Sequence, residues 1–185
     1  MDKQILENTL IKHATPCKIY THEELVSTNT TAKELARQGE NEFTLICADR
    51  QSGGRGRLGR SFFSPEKSGI YMSLIVRPNF SFEDAFLITP CIAVAVAKTL
   101  EREYALKPQI KWVNDIYIDS KKVCGILTES SFSKNGLSEW AVIGIGINMT
   151  APENGFPDEI SNIASGIFES PEKSPSKEIF TAQIV

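Results

Sequence analysis

The spacing of apolar residues divides this chain into helices and strands before any other property is considered. Ile5, Leu6, Leu10 and Ile11 recur with a helical period, which predicts a short amphipathic helix over 3–13. A brief strand follows at 17–20. Ser27-Thr28-Asn29-Thr30-Thr31 then opens a helix that runs to about residue 38, with Thr31 and Glu34 at capping-box spacing and Gly39 as its stop. Residues 43–48 form a compact β-prone run, and 70–76 is apolar without interruption, as in a strand covered on both faces. The segment 84–103 is helical by period, although Pro90 must either begin a helix or kink one, since it has no N–H to donate. Strands at 109–112, 116–119, 123–130 and 140–149, joined by short turns, read as a meander on one sheet. Beyond Met149 the chain is polar and punctuated by Pro152, Pro157, Pro171 and Pro175, and Ser174-Pro175-Ser176 is placed to start one more helix.

The expected fold class is therefore α/β in the α+β sense: a mixed, largely antiparallel sheet with packed helices, unlike a doubly wound nucleotide fold. Two segments are expected, a main domain over 1–170 and, at 171–185, a linker with the start of a truncated C-terminal helix.

Composition narrows the function. The 185 residues are 41% apolar and carry a net charge of -3, so a cluster of arginines stands out as a local feature of a mildly acidic body. That balance weighs against a nucleic-acid partner, whose domain is usually strongly basic. Four dispersed cysteines lack metal-ligand spacing and read as reduced, mostly buried thiols. Two histidines leave little for a zinc site or a His-based triad, and no metal ligands are assigned. No apolar run is long enough to span a bilayer and no secretory core follows the charged start, so no membrane partner and a cytoplasmic location are expected.

The chemistry concentrates at Gly53-Gly54-Arg55-Gly56-Arg57-Leu58-Gly59-Arg60, introduced by Gln51. Glycines let backbone N–H groups approach a ligand, and each guanidinium offers a planar fork to phosphate or carboxylate. A small anion is the expected guest, and the loop is expected to be mobile when empty because crowded guanidiniums repel. The segment is not a P-loop, since GxxxxGK[ST] is missing. A solvated Gly-rich loop and an Arg arm for nucleic acid remain the alternatives at this point.

Lys111-Trp112-Val113-Asn114-Asp115 sits where one strand turns into another, a place that also favours Asn and Asp for backbone reasons. Lys121 and Lys122 point to opposite faces by alternation, and Lys122 is expected to share its face with Cys124 and Ile126. Ser27-Thr28-Asn29 suits a helix cap, and the same groups suit a neutral urea or amide. Glycines at alternate positions in Gly144-Ile145-Gly146-Ile147-Asn148 imply that something approaches that face closely, with backbone packing an equal alternative.

In this order, Ser27-Thr28-Asn29, the GRGRxGR loop, KWVND, Lys122 with Gly125-Ile126-Leu127, and GIGIN resemble the biotin protein ligases, also called biotin-[acetyl-CoA-carboxylase] ligases, over roughly residues 20–150. The resemblance implies the biotin/lipoate ligase fold, related to class II synthetases, and an ATP-dependent, AMP-forming reaction. Biotin is activated to biotinyl-5′-AMP with ATP and Mg2+, then passed to a lysine of a biotin carboxyl carrier protein. It implies biotin contacts from Ser27, Thr28, Asn29, Gln51, Gly54, Arg55 and Gly125. It implies ATP or adenylate contacts from Arg57, Arg60, Phe62, Asn114, Asn148 and Lys122, with Lys122 and Arg57 catalytic. A homodimer is possible in such a family. Val113 stands where members usually have Pro, no winged helix-turn-helix precedes residue 20, and the small β-barrel that normally follows is missing, so no DNA-binding repressor role is expected. A lipoate or octanoate transfer enzyme of the same fold is the alternative.

Overall fold

A computed structural model describes residues 1–12, 15 and 17–185. Its framework is one sheet of seven strands in the order β1-β2-β3-β7-β6-β5-β4. The strands are β1 (Lys18–Leu25), β2 (Thr44–Gln51), β3 (Gly69–Val76), β4 (Gln109–Lys111), β5 (Asp115–Ile118), β6 (Lys121–Phe132) and β7 (Ser138–Asn148). Only β1 and β2 pair in parallel; every other neighbouring pair is antiparallel, so the mixed, largely antiparallel α/β reading holds. Helices α1 (Lys3–Lys12), α2 (Thr28–Arg37), α3 (Ile88–Tyr104), α4 (Asp158–Ser161) and α5 (Lys177–Ile184) complete it. The residue-13 end expected for α1 lies outside the described residues. No helix among the described residues is long and apolar enough to cross a membrane.

The two faces of the sheet are covered unequally. Leu6 and Leu10 of α1, Ala93, Val96 and Leu100 of α3, and Phe180 and Ala182 of α5 pack with Leu45, Cys47, Ile70, Met72, Ile143, Ile145 and Ile147 into one large core. On the other face α2 alone buries Ala32 and Ala36 against Ile46, Ile75, Trp140 and Val142. The rest of that second face is left open.

Several boundaries differ from the sequence pattern for physical reasons. β1 extends to Leu25 through Thr21, His22, Glu23 and Glu24, polar residues that an edge strand tolerates and that therefore carry no apolar signal. α2 starts at Thr28, so Thr31 lies inside the helix and forms no capping box. Pro90 falls in the first turn of α3, where a missing N–H costs nothing, and the helix runs on unbroken. Ser176 caps α5 by accepting from the Ile179 N–H at 3.3 Å. The Trp112–Val113 peptide is cis.

The largest correction concerns Lys122. Ile116 pairs with Cys124 and Tyr117 with Lys122, so Val123 is an extra residue with no partner of its own on β5. Val123 and Cys124 both enter the core, and the alternation is reset at this bulge. Lys122 consequently lies on the open face with Gly125, not with Cys124 and Ile126.

Candidate active site

A cavity of about 430 Å3 occupies the open part of the second face. Its inner end is neutral. Thr28 donates its backbone N–H to Gln51 Oε1 at 2.8 Å, with its hydroxyl 3.2 Å from the same oxygen, and Gln51 Nε2 donates to Ser64 Oγ at 2.9 Å. The Ser73 hydroxyl lies 2.8 Å from Thr28 Oγ1 and 2.6 Å from Asn29 Oδ1. Ser27 is the N-cap residue of α2, yet its side chain makes no capping bond, and the Thr28 N–H is served by Gln51 instead. Ser27 is buried and lines the cavity, and its hydroxyl has no hydrogen-bond partner among the described residues.

The outer end is cationic. Gly56 N–H donates to Arg60 O at 2.7 Å and Phe62 N–H to Gly54 O at 2.9 Å, folding the Arg/Gly segment into a narrow hairpin above the sheet. Arg55, Arg57 and Arg60 all line the cavity and all are exposed. Arg57 and Arg60 have no ion-pair partner among the described residues, and Arg55 Nη2 sits 3.4 Å from Glu129 Oε1. Lys122 Nζ lies 2.6 Å from Asp115 Oδ1. Asn114 Nδ2 donates to the same Asp115 oxygen at 3.0 Å and to Ile126 O at 3.2 Å. Lys111 and Trp112 stand at the rim, and Asp115 is the single carboxylate of the lining.

Glycines make the floor. A Cβ on Gly144 would stand 2.0 Å from Asn29 Oδ1, and one on Gly146 would stand 2.5 Å from the Phe62 ring. Asn29 and Phe62 are thus the groups whose close approach the alternate glycines anticipate. The Phe62 ring also meets Tyr71 edge-on at 6.3 Å between centroids, and burial raises the Tyr71 phenol well above its usual range. Phe62 thus rests on the sheet at the cavity floor.

Of the residues singled out from sequence, Ser27, Thr28, Asn29, Gln51, Arg55, Arg57, Arg60, Phe62, Asn114, Lys122 and Gly125 come together around this one cavity. Gly54 and Asn148 do not line it. A Cβ on Gly54 would stand 2.3 Å from Phe62 O, so its lack of a side chain lets the hairpin close. Asn148 is buried and directs Nδ2 at Lys122 O, 3.5 Å away.

Ser73, Glu129, Ile160 and Ile163 are among the participants outside the sequence reading. Ser73 is a polar residue in an otherwise apolar strand, and Glu129 continues the alternation of Gly125 and Leu127, so both left a signal. Burial tends to raise the Glu129 pKa, but hydrogen bonds from Lys33 and Asn29 with the charges of Lys33 and Arg55 outweigh it and hold the carboxyl below its usual range. Ile160 and Ile163 reach the lining because the Pro-rich segment folds back on β6: Lys122 N–H donates to Ile163 O at 2.7 Å, and Ser165 N–H to Lys122 O at 3.0 Å. A polar, irregular segment gives no period from which to foresee this.

All four cysteines are free, but only Cys47 and Cys124 are buried, so the expectation of mostly buried thiols holds for half of them. Burial pushes the Cys47 and Cys124 thiols up to about 12, whereas Cys91 is exposed on α3. Among the described residues, no three His, Cys, Asp or Glu side chains are grouped to hold a metal ion.

A sheet of this order, with an Arg/Gly hairpin over a bipolar cavity, belongs to a defined class. The model of the biotin/lipoate A/B protein ligase family matches residues 23–148, and the chain belongs to that family. Among individual relatives it is 42% identical over 149 residues to the bifunctional ligase/repressor BirA of Bacillus subtilis, covering 80% of this chain and 46% of that protein. It is 37% identical over 132 residues to the biotin--[acetyl-CoA-carboxylase] ligase of Paracoccus denitrificans, covering 70% of this chain and 54% of that one. The biotin protein ligase of Aquifex aeolicus, solved in complex with biotin and ATP, superposes with a TM-score of 0.73 at 30% identity, over 90% of this chain and 66% of that one. The chain spans about half the length of the curated relatives it matches.

Proposed function

We propose that this chain activates biotin with ATP and passes it, as biotinyl-5′-AMP, to a lysine of a biotin carboxyl carrier protein in the cytoplasm. The observation that carries this reading is the polarity of the cavity: neutral hydrogen-bonding groups at one end, unpaired arginines and Lys122 at the other. Biotin has the same polarity, a neutral urea-bearing head and an anionic tail. The identity of the relatives as biotin ligases favours it over lipoate or octanoate.

In the first step a biotin carboxylate oxygen attacks the α-phosphorus of ATP, the P–O bond to pyrophosphate breaks, and pyrophosphate leaves. Two anions must meet, so fixed cations aimed at the transferring phosphoryl oxygens are the main catalytic lever. Lys122, Arg57 and Arg60 supply them, and Asp115 stores the Lys122 ammonium at the cavity wall until a substrate anion competes for it. Ser27, Thr28, Asn29 and Gln51 hold the urea end, while Arg55 reaches toward the carboxylate. Asn114, Lys111 and Trp112 stand on the nucleotide side. In the second step the carrier amine attacks the acyl carbon and AMP departs.

Among the described residues no three carboxylate, His or Cys side chains are grouped to cage a metal ion, so Mg2+ would be held mainly by nucleotide phosphates and water. The mixed anhydride hydrolyses readily, and closure of the Arg/Gly hairpin would exclude water from it. The test is incubation with biotin, ATP and magnesium, followed by pyrophosphate release and retained biotinyl-AMP. Lys122→Ala and Arg57→Ala are each expected to lower the rate about 10²- to 10³-fold, as for loss of one charge-stabilising donor. Rates unchanged in both variants, or no adenylate with wild type, would reject the reading.

A further inference from the structure

Glu129 takes no part in the steps above, yet its carboxylate touches three side chains on two pieces of the structure, α2 and the Arg/Gly hairpin. Oε2 accepts from Asn29 Nδ2 at 3.1 Å, at the start of α2. Oε1 accepts from Lys33 Nζ at 2.6 Å, one turn further along the same helix, and lies 3.4 Å from Arg55 Nη2 in the hairpin. The Glu129 side chain is 22% exposed and Lys33 15%, so solvent competes weakly for this cluster.

The contact with Asn29 limits what that amide can do. A carboxamide has two N–H donors and one oxygen with two lone pairs. Both donors are spent, one on Leu127 O at 3.2 Å and one on Glu129. Its oxygen already faces the Ser73 hydroxyl at 2.6 Å. What remains is one lone pair on Oδ1, so a ligand in the cavity meets Asn29 as an acceptor and must bring an N–H or O–H donor. A glutamine at 129 has one acceptor oxygen where the carboxylate has two, and it cannot serve Asn29, Lys33 and Arg55 together.

We propose that Glu129 is a positioning residue that fixes Asn29 as a hydrogen-bond acceptor for the neutral head group of the substrate and tethers the Arg/Gly hairpin through Arg55. The head-group half of this statement rests on the biotin-activating reading; the tether does not.

The experiment uses the full chain with Glu129→Gln and Glu129→Asp, and Glu40→Gln as a control that breaks an ion pair away from the cavity. Trypsin cleavage at Arg55, Arg57 and Arg60 without any ligand reads the tether alone. Cleavage of Glu129→Gln is expected to be about tenfold faster than wild type, as when a local opening equilibrium shifts by that factor. Glu129→Asp, which keeps the charge, is expected to recover part of the protection, and Glu40→Gln to match wild type.

Initial rates of pyrophosphate release read the head-group role. KM for biotin is expected to rise about tenfold with kcat changed less than about threefold, the pattern of lost uniform binding. Unchanged cleavage overturns the tether, and an unchanged KM for biotin overturns the role toward Asn29. Equal effects from Glu40→Gln would reduce both to general destabilisation and overturn the proposal. If wild type releases no pyrophosphate, the biotin reading falls while the cleavage result still decides the tether.

Discussion

Strand β7 shows two surfaces made by alternate residues of one segment. Ile143, Ile145 and Ile147 point into the core under α1, α3 and α5, while Gly144 and Gly146 point to the cavity and are approached most closely by Asn29 and Phe62. One surface is filled by side chains and the other is hollowed out by omitting them. The same sheet supplies rigidity through the first and room for chemistry through the second. Neighbouring residues in this strand should therefore fail in different ways.

The largest effect is expected at Gly146→Val. The new side chain would collide with the Phe62 ring, which a Cβ alone would meet at 2.5 Å, and would push that ring and the hairpin that carries it out of place. Adenylate formation is expected to fall about 10³-fold, or about 4 kcal/mol of transition-state stabilisation. The thermal midpoint should drop only by the amount that moderate overpacking costs, about 1–3 kcal/mol. Pyrophosphate assay and calorimetry on one preparation decide this; retained activity would mean that the floor of the cavity is not where the substrate lies.

Ile147→Ala is the mirror image. Ile147 is fully buried against the helix-covered face and does not line the cavity. Truncation there is expected to cost about 2–5 kcal/mol of stability by transfer and cavity terms. Below the unfolding transition its kcat and KM should stay close to wild type. Denaturant unfolding alongside kinetics would detect the opposite, a catalytic defect in a stable protein, and would show that the two surfaces are coupled through the strand.

The contrast also explains what could be read from sequence. Apolar period marks the filled surface well, so the helices, the long strands and the mixed sheet followed from positions such as Leu6, Leu10, Ile70 and Val96. The hollow surface is marked by omission and by polar residues, which carry information only when a motif groups them, as the Arg/Gly hairpin and Ser27-Thr28-Asn29 do. Strict alternation puts Lys122 on one face with Cys124 and Ile126, and a single bulge residue, Val123, separates it from them. Ser73 and Glu129 each stood in a strand with a legible period, but their hydrogen bonds join residues about 44 and 100 positions away, a distance no local pattern spans. Ile160 and Ile163 reach the site through backbone pairing with Lys122, which depends on the folded sheet and not on the identities of the residues that pair.

The smallest effect concerns a second carboxylate on the α2 side of the sheet. Glu40 follows the end of α2 as Glu129 faces its start, and it accepts from Lys18 Nζ at 2.8 Å, the Asn41 N–H at 3.0 Å and the Tyr20 hydroxyl at 2.9 Å. The Lys18 hydrogen bond first, then those from Asn41 and Tyr20, lower its carboxyl to about 2. A depressed carboxylate contributes stability above its unfolded value, and the contribution disappears as the pH falls through the folded value. Wild type should thus exceed Glu40→Gln in stability at neutral pH, with the gap closing as the pH drops from roughly 4.3, the ordinary glutamate value, toward about 2. Lys18 is more than half exposed, so screening keeps the gap small and added salt should shrink it further. Acid titration of the unfolding midpoint at two salt concentrations measures this, with pyrophosphate release at neutral pH unchanged. A gap that widened in acid would reverse the sign and remove the hydrogen-bonded carboxylate as its cause. Loss of activity in Glu40→Gln would instead mean that the far end of α2 governs the cavity as strongly as the near end, and the division of labour between structural and functional carboxylates would not stand.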